Sequence, residues 1–96
     1  MAVYVVAQLT ITDRVRYDAY VARFMPALVA HGGRLLAADE AVEIIEGSWD
    51  RSKVVILAFA SEASFRTWYA SDGYQAIVGD RWAGTVGTVL LVHGFG

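Results

Sequence analysis

The stretch Lys53–Ala60 is apolar on both of its faces if it forms a β-strand. It consists of Lys-Val-Val-Ile-Leu-Ala-Phe-Ala. Successive side chains of a strand point to opposite faces, so neither face of this strand favours contact with water. The few helices that this chain can form cover one face of a sheet. The other face needs a cover from outside the chain, and the simplest cover is a second copy of the same chain.

The composition strengthens this expectation. The 96 residues make one small domain, and 56% of them are hydrophobic. Mean hydropathy is +0.42. A domain of this size buries a smaller share of its surface than a large one. The apolar excess therefore predicts an interface or a cavity lined for a ligand.

The charge and the absent motifs exclude several function classes. A net charge of −2 provides no basic surface for nucleic acid or for a membrane. There is no cysteine, no glycine-rich phosphate loop and no apolar run long enough to span a bilayer. Neither His31 nor His93 has a second metal ligand at helix or hairpin spacing. We therefore expect no cofactor and no metal. The apolar start, Met1–Ile11, lacks the features of a signal peptide, so the expected location is cytoplasmic.

The first half of the chain shows a strand followed by a helix. Val3–Ile11 alternates, with a wholly apolar odd face and a mixed even face. Helical spacing then runs over Arg14–His31, and Pro26 is expected to bend or divide that helix. The pair Gly32–Gly33 is typical of a helix C-terminus.

The second half predicts two more helices between strands. Arg34–Ala37 is extended, residues 38–41 form a bulge or turn, and Val42–Glu46 forms a further short strand. A loop over residues 47–52 leads into the strand Lys53–Ala60. Ser61 caps a helix that is interrupted at residues 71–73, a short third helix buries Tyr74, and Thr85–His93 is the last strand.

The order β-α-β-β-α-β predicts an α+β, ferredoxin-like fold, with residues 1–96 as a single domain. Its antiparallel sheet carries the helices on one face. If each subunit leaves on the order of 500 Å² of the other face to be covered, burial contributes roughly 12 kcal/mol before association costs. We therefore predict a homodimer that pairs sheet face to sheet face and encloses a space between the sheets.

A small polar and aromatic set could bind or transform a ligand. Gln8 and Thr10 lie on the mixed face of the first strand, either as cavity lining or as an interface pair. Arg34 and Arg81 are either surface ion-pair partners or groups for an anionic substrate. Trp49 is either an interface anchor or a stacking surface for substrate.

Two further residues are candidates for proton transfer. Tyr74 follows a helix break and is the aromatic residue most easily assigned to a site. His31 is explained more simply as a helix C-terminal residue whose side chain suits the helix dipole. With Arg81 these residues form the predicted catalytic set, and Gln8, Thr10, Arg34 and Trp49 form the predicted substrate-binding set.

Several segments together resemble a known family. They are Tyr4–Asp13 with Tyr17 and Tyr20, His31–Leu36, Glu46–Trp49, Val54–Leu57 with Phe59 and Ser61, Trp68–Tyr69, Ser71, Tyr74–Gln75 and Arg81. Their order and spacing resemble the uncharacterised family called domain of unknown function 1330, over almost the whole chain. The resemblance implies a ferredoxin-like subunit of the dimeric α+β barrel superfamily. That superfamily includes cofactor-free oxygenases, haem-degrading enzymes, isomerases and ligand-binding modules, so the fold does not determine the function.

Two features differ from the pattern that the resemblance implies. Lys53 stands where arginine is expected. Lysine lacks the planar guanidinium that binds a carboxylate through two parallel hydrogen bonds. The segment Asp39–Ala41 is also more acidic than expected. Three functions remain open: a cofactor-free enzyme for a small organic acid or aromatic compound, a non-catalytic ligand-binding or regulatory dimer, and a dimer that binds another protein.

Overall fold

The structure is a computed structural model that describes residues 1–95. Four strands and three helices follow one another along the chain. They are β1 Val3–Ile11, α1 Arg14–Val29, β2 Arg34–Asp39, β3 Lys53–Phe59, α2 Glu62–Ala70, α3 Asp72–Gly84 and β4 Thr85–His93. The predicted β-α-β-β-α-β order and ferredoxin-like fold are confirmed.

The strands form one antiparallel sheet in the order β2-β3-β1-β4. The odd residues of β1, Val3, Val5, Ala7 and Leu9, are buried against the helices, and the even residues are half-buried on the opposite face. We call that opposite side of the sheet the open face. The alternation of β1 therefore sets which side of the sheet the helices cover.

Helix α1 begins as the sequence predicts and ends earlier. The Asp13 side chain caps it by accepting a hydrogen bond from the Arg16 backbone N–H at 3.2 Å. The helix ends at Val29 rather than at His31, and Gly32 takes the left-handed conformation at φ +75° just beyond it. Residues 14–29 form one continuous helix with Pro26 inside it, so the proline does not divide the helix.

The region between β2 and β3 differs most from the prediction. Strand β2 runs on to Asp39, and its irregularity lies between Leu35 and Ala37 rather than in residues 38–41. Residues 42–46 do not form a strand. The Asp39 carboxylate accepts the backbone N–H of Ala41 at 2.7 Å, which turns the chain away from the sheet edge.

Strand β3 ends at Phe59 rather than Ala60. Its residues Leu57 and Phe59 are buried beneath the helices, as expected for a strand that is apolar on both faces. On its open face, Val54 and Ile56 are half-buried. Residues 42–46 and Trp49 face Val54 across a shallow hollow over β1 and β3. The open face is therefore less bare on β3 than the sequence predicts, and it is most exposed on the two outer strands, β2 and β4.

Candidate functional site

A cavity of about 120 Å³ lies between the helices and the sheet, and we call it the helix–sheet cavity. It opens between α1 and β2, where Val21, Met25 and Leu35 are partly exposed. Its wall is almost entirely apolar and contains seven aromatic side chains. These are Tyr17, Tyr20, Phe24, Phe65, Trp68, Tyr69 and Tyr74.

Of residues 1–95, two charged side chains line this cavity, and both are cations. Lys53 and Arg81 are each 9% exposed. Within residues 1–95, neither has a carboxylate oxygen within 4.0 Å. Buried charges are ordinarily paired, because a charge removed from water without a partner is costly. The helix–sheet cavity is thus a positively charged site without its own counter-ion.

Lys53 is directed to the cavity by its place at the start of β3. It shares the helix-covered face with Val55 and Leu57, and its Nζ lies 4.8 Å from the centre of the Tyr17 ring. That contact is a cation–π interaction, which compensates part of the lost hydration. The field of Lys53 reaches Glu40, but the Glu40 carboxylate is bound by Arg14 at 2.7 Å. Lys53 therefore remains available to an anion.

Arg81 reaches the cavity from the last turns of α3. Its backbone carbonyl accepts the Thr85 hydroxyl at 2.7 Å, which joins this turn to the start of β4. Burial disfavours the charged guanidinium, but the nearby hydroxyls of Tyr74 and Tyr20 outweigh this effect and raise the pKa of Arg81 above its ordinary value. Arg81 is therefore a cation at any physiological pH.

The hydroxyls of Tyr20 and Tyr74 form a buried hydrogen bond of 2.9 Å between α1 and α3. Burial, and then the adjacent Tyr74, raise the pKa of Tyr20 far above its ordinary value. Tyr20 consequently stays protonated. The pair places two hydrogen-bonded phenol hydroxyls in the cavity wall, beside the Arg81 guanidinium.

Ser71 connects α2 to α3 and fixes the aromatic end of the cavity. Its hydroxyl donates to the Trp68 carbonyl at 2.7 Å and accepts from the Tyr74 backbone N–H at 3.2 Å. This link brings the rings of Trp68 and Tyr74 to 4.0 Å between centres. Trp68 is 2% exposed, yet its Nε1 has no hydrogen-bond partner within the described residues. An unpartnered buried N–H of this kind is uncommon and needs an explanation.

The predicted site residues separate into two places. Tyr74 and Arg81 lie together in the wall of the helix–sheet cavity. Gln8 and Trp49 lie together on the open face, where the Trp49 indole N–H donates to the Gln8 side-chain oxygen at 3.1 Å. This hydrogen bond holds the segment before β3 over the sheet.

The remaining predicted residues join neither pair. Thr10 shares the open face with Gln8, and Arg34 is on the same face, since it and Tyr4 both pair with Ala58. Neither lines the cavity. His31 lies in the turn after α1 and is also absent from the cavity wall. The structure thus separates His31 from Tyr74 and Arg81, with which we had grouped it.

Three residues of the cavity were not predicted as functional. The alternation of side chains along β3 could have predicted that Lys53 points into the cavity, because it lies on the same strand face as Val55 and Leu57. Tyr20 has no local sequence signal for a site, because its hydrogen-bond partner Tyr74 lies 54 residues away. For Trp68, a buried indole N–H without a partner leaves no signal in a sequence.

The groups present limit the chemistry. Among residues 1–95, no three side chains of the His, Cys, Asp or Glu type are gathered to hold a metal ion. In the described part of the chain, no carboxylate and no imidazole lines the cavity wall. What the site offers is two cations and tyrosine hydroxyls within an aromatic enclosure. None of the described helices is both long and apolar enough to cross a membrane.

A family model described as domain of unknown function (DUF1330) matches residues 2–95 of the chain. None of the curated proteins is similar enough to the chain to count as a match.

Several solved structures share the fold at low sequence identity. A protein of unknown function from Rhodopseudomonas palustris has a TM-score of 0.83 and 16% identity, over 99% of this chain and 83% of that one. SnoaB, a cofactor-independent oxygenase from Streptomyces nogalater, has a TM-score of 0.72 and 18% identity, over 99% and 94%. A dimeric ferredoxin-like protein of unknown function from Thermobifida fusca has a TM-score of 0.68 and 12% identity, over 98% and 92%. At such identities the similarity establishes a common fold.

Proposed function

The chain belongs to the domain of unknown function (DUF1330) family, and from this premise we propose that it binds a small organic anion in the helix–sheet cavity. The observation that carries this proposal is the pair of buried cations, Lys53 and Arg81, in an apolar wall without a carboxylate. An anion bound there would supply the missing counter-charge. Its hydrogen bonds to the guanidinium would be charge-assisted and therefore strong.

A thermal-shift assay tests the binding. Small carboxylates, sulfonates and phosphates, each beside a neutral analogue such as the amide, are added to the wild-type protein. A ligand at 100 times its Kd stabilises by about 2.7 kcal/mol, which corresponds to roughly 10 °C or more in Tm for a domain of this size. We expect anions to raise Tm and their neutral analogues to leave it unchanged.

Two variants connect the shift to the cavity. Arg81→Gln removes a cation from the wall and should abolish the shift. Arg23→Gln removes an exposed cation on the outer side of α1 and should preserve it. Equal shifts in both variants, or no shift with any anion on the wild type, would contradict the proposed site.

Catalysis is a second candidate, favoured by the hydroxyl pair of Tyr20 and Tyr74 beside Arg81. Arg81 would orient the bound anion, and Tyr74 would give or take a proton, with Tyr20 as its hydrogen-bonded neighbour. SnoaB shares this fold and is a cofactor-independent oxygenase, which is compatible with chemistry that needs only protein groups. Tyr74→Phe should leave anion binding intact and abolish turnover, whereas a purely binding role predicts no turnover in either protein.

The active form that we propose is a homodimer paired through the open face. On β4, Val86, Leu90 and Val92 are 55%, 43% and 45% exposed on that face. A typical stable interface takes about 800 Å² from each partner, which is about one seventh of the 5770 Å² surface of this chain. The Thermobifida fusca protein with this fold is dimeric.

A charge placed on β4 tests the pairing. Leu90→Lys should make the protein monomeric in sedimentation velocity, because a buried unpaired charge opposes association. Val15→Lys is the matched control, since Val15 is 79% exposed on α1. A wild type that sediments as a folded monomer at micromolar concentration would refute the dimer.

A further inference from the structure

Given the anion site proposed above, on which this step depends, we propose that its ligand is an amphipathic monocarboxylate whose only polar group is its head and whose apolar tail leaves the cavity between α1 and β2. The carboxylate would lie at Lys53 and Arg81. The tail would pass the mouth of the cavity, which we define as Val21, Met25 and Leu35. Three observations, on polarity, depth and volume, lead to this ligand class.

The first observation is that the polar groups of the cavity are gathered around its two cations. The Lys53 Nζ lies 4.8 Å from the centre of the Tyr17 ring, and that ring stacks on Tyr20 at 5.9 Å between centres. The hydroxyls of Tyr20 and Tyr74 lie against the Arg81 guanidinium. A single head group therefore meets all of these groups in one region of the cavity.

The rest of the cavity wall, as far as residues 1–95 form it, is apolar. Beyond the two cations and the tyrosine hydroxyls, its lining side chains are aliphatic or aromatic, with the thioether of Met25 at the mouth. The Trp68 indole N–H is buried and offers no contact to a ligand. A polar group placed against such a wall without a hydrogen bond is costly. The ligand is therefore polar at one end only.

The second observation is the direction in which the cavity runs. Tyr17 of α1 lies over Lys53 of β3 at one end. Toward the other end, Leu28 of α1 and Phe59 of β3 both lie close to Gly33. Helix α1 and strand β3 therefore run side by side in the same direction, and the cavity lies between them.

Both elements give the same depth from the cations to the mouth. On β3, Leu57 lies four residues after Lys53, which is about 13 Å along a strand. Leu57 pairs with Leu35 of the mouth. On α1, Met25 lies eight residues after Tyr17, which is about 12 Å along a helix. The mouth is therefore about 12 Å from the level at which Lys53 contacts Tyr17.

The third observation is the volume of the cavity. About 120 Å³ is close to the volume of an engineered apolar cavity, about 150 Å³, that takes up benzene. The enclosed part therefore holds about six carbon atoms. A longer tail continues outward over the partly exposed side chains of Val21, Met25 and Leu35, because the close-packed core on the other side resists movement.

Isothermal titration calorimetry with straight-chain carboxylates tests this class on the wild type. From butanoate to heptanoate we expect Kd to fall about fourfold per added methylene, because each methylene is buried in the cavity. From decanoate to dodecanoate the gain per methylene should be clearly smaller, because these groups lie outside the mouth. 1-Hexanol, which has the chain without the charge, should show no binding.

Dicarboxylates distinguish an open mouth from a closed cavity. Hexanedioate would place its second carboxylate against the apolar wall, so it should bind at least about tenfold more weakly than hexanoate. Dodecanedioate is long enough for its second carboxylate to reach water beyond the mouth, so it should bind within about threefold of dodecanoate. Rejection of the short dicarboxylate with acceptance of the long one is expected only if the tail emerges.

Two matched variants locate the exit. Leu35→Trp places a large side chain in the mouth on β2, and Val89→Trp places one on β4, at the opposite edge of the sheet. Both positions line the cavity and are similarly exposed, at 39% and 42%. Leu35→Trp should keep the binding of butanoate and weaken that of dodecanoate about tenfold. Val89→Trp should leave both unchanged.

The methyl signals of the two methionines provide a readout that needs no variant. Met25 lies in the mouth, whereas Met1 precedes β1 and does not line the cavity. In wild-type protein labelled with ¹³C at the methionine methyl groups, the Met25 signal should move when dodecanoate is added and stay when butanoate is added. The Met1 signal should stay in both titrations.

The outcomes separate this ligand class from the anion site itself. If carboxylates bind through Arg81 but their affinity does not depend on chain length, the anion site stands and the amphipathic class is wrong. If Val89→Trp rather than Leu35→Trp weakens dodecanoate binding, or if the Met25 signal does not move, the exit between α1 and β2 is wrong. If no carboxylate binds the wild type, the proposed function itself fails.

Discussion

Removing the Arg81 charge should stabilise the protein in the absence of ligand. Arg81 is 9% exposed and lies in an apolar wall without a carboxylate partner in the described chain. Replacing buried ionic groups by apolar residues of similar size is often stabilising by about 1–4 kcal/mol. The hydroxyls of Tyr74 and Tyr20 favour the guanidinium, and Arg81→Met loses that favourable contact together with the buried charge, so we take the lower part of that range, about 1–2 kcal/mol.

For a domain of about 100 residues this gain corresponds to a rise in Tm of roughly 5–15 °C. The assay is calorimetric unfolding at one protein concentration, because the stability of a dimer depends on concentration. Arg23→Met is the control. It alters an exposed side chain, and we expect a change within about 0.5 kcal/mol.

The same variant should lose the stabilisation by anions that the wild type shows. A site that is destabilising when empty and needed when filled is characteristic of function rather than of folding. The opposite result, a clear fall in Tm for Arg81→Met with an unchanged anion response, would refute the reasoning. It would mean that groups of the protein already satisfy Arg81, so that its charge contributes to folding.

Three further predictions concern packing and titration. Gly84→Ala should destabilise by about 1–3 kcal/mol in denaturant unfolding, since its Cβ would lie 2.8 Å from the Tyr17 backbone nitrogen, whereas Gly79→Ala in the same helix meets nothing within 4 Å and should stabilise slightly. Because the folded-state pKa of Tyr20 is raised, its contribution to stability is complete below about pH 10 and is lost at higher pH, and ultraviolet titration should find this phenol protonated until unfolding. The hydrogen bond from Arg14 lowers the pKa of Glu40, so this contact should stabilise above the ordinary carboxyl range and fail as pH falls below it; an NMR titration should place the Glu40 midpoint low, and Arg14→Met should return it to normal.

The sequence was sufficient for the fold because its periodicities are local and consistent. The alternation of Val3–Ile11 and the apolar run of β3 each follow from side-chain direction alone. Ser61 and Gly32 mark element boundaries through caps that need no tertiary contact. The segment 42–46 was misassigned because its valine and isoleucines favour strands. The turn that Asp39 makes with Ala41 removes that segment from the sheet edge.

The candidate site was only half predictable. Tyr74 and Arg81 were chosen from their residue types and places in the chain, and both line the cavity. His31 was grouped with them without a distance to support it. The contacts that define the site join residues far apart in sequence, such as Tyr20 with Tyr74 and Lys53 with Tyr17. Such pairs depend on how α1 packs against α3 and β3, and no local pattern encodes that packing.

The most direct test of the anion site is a crystal structure of the protein soaked with 4-bromobenzoate, with the bromine located by its anomalous scattering. We predict the bromine signal inside the helix–sheet cavity, with the carboxylate at Arg81 and Lys53. Bromine found only on the open face or at the outer surface, with the cavity empty at saturating ligand, would contradict the account.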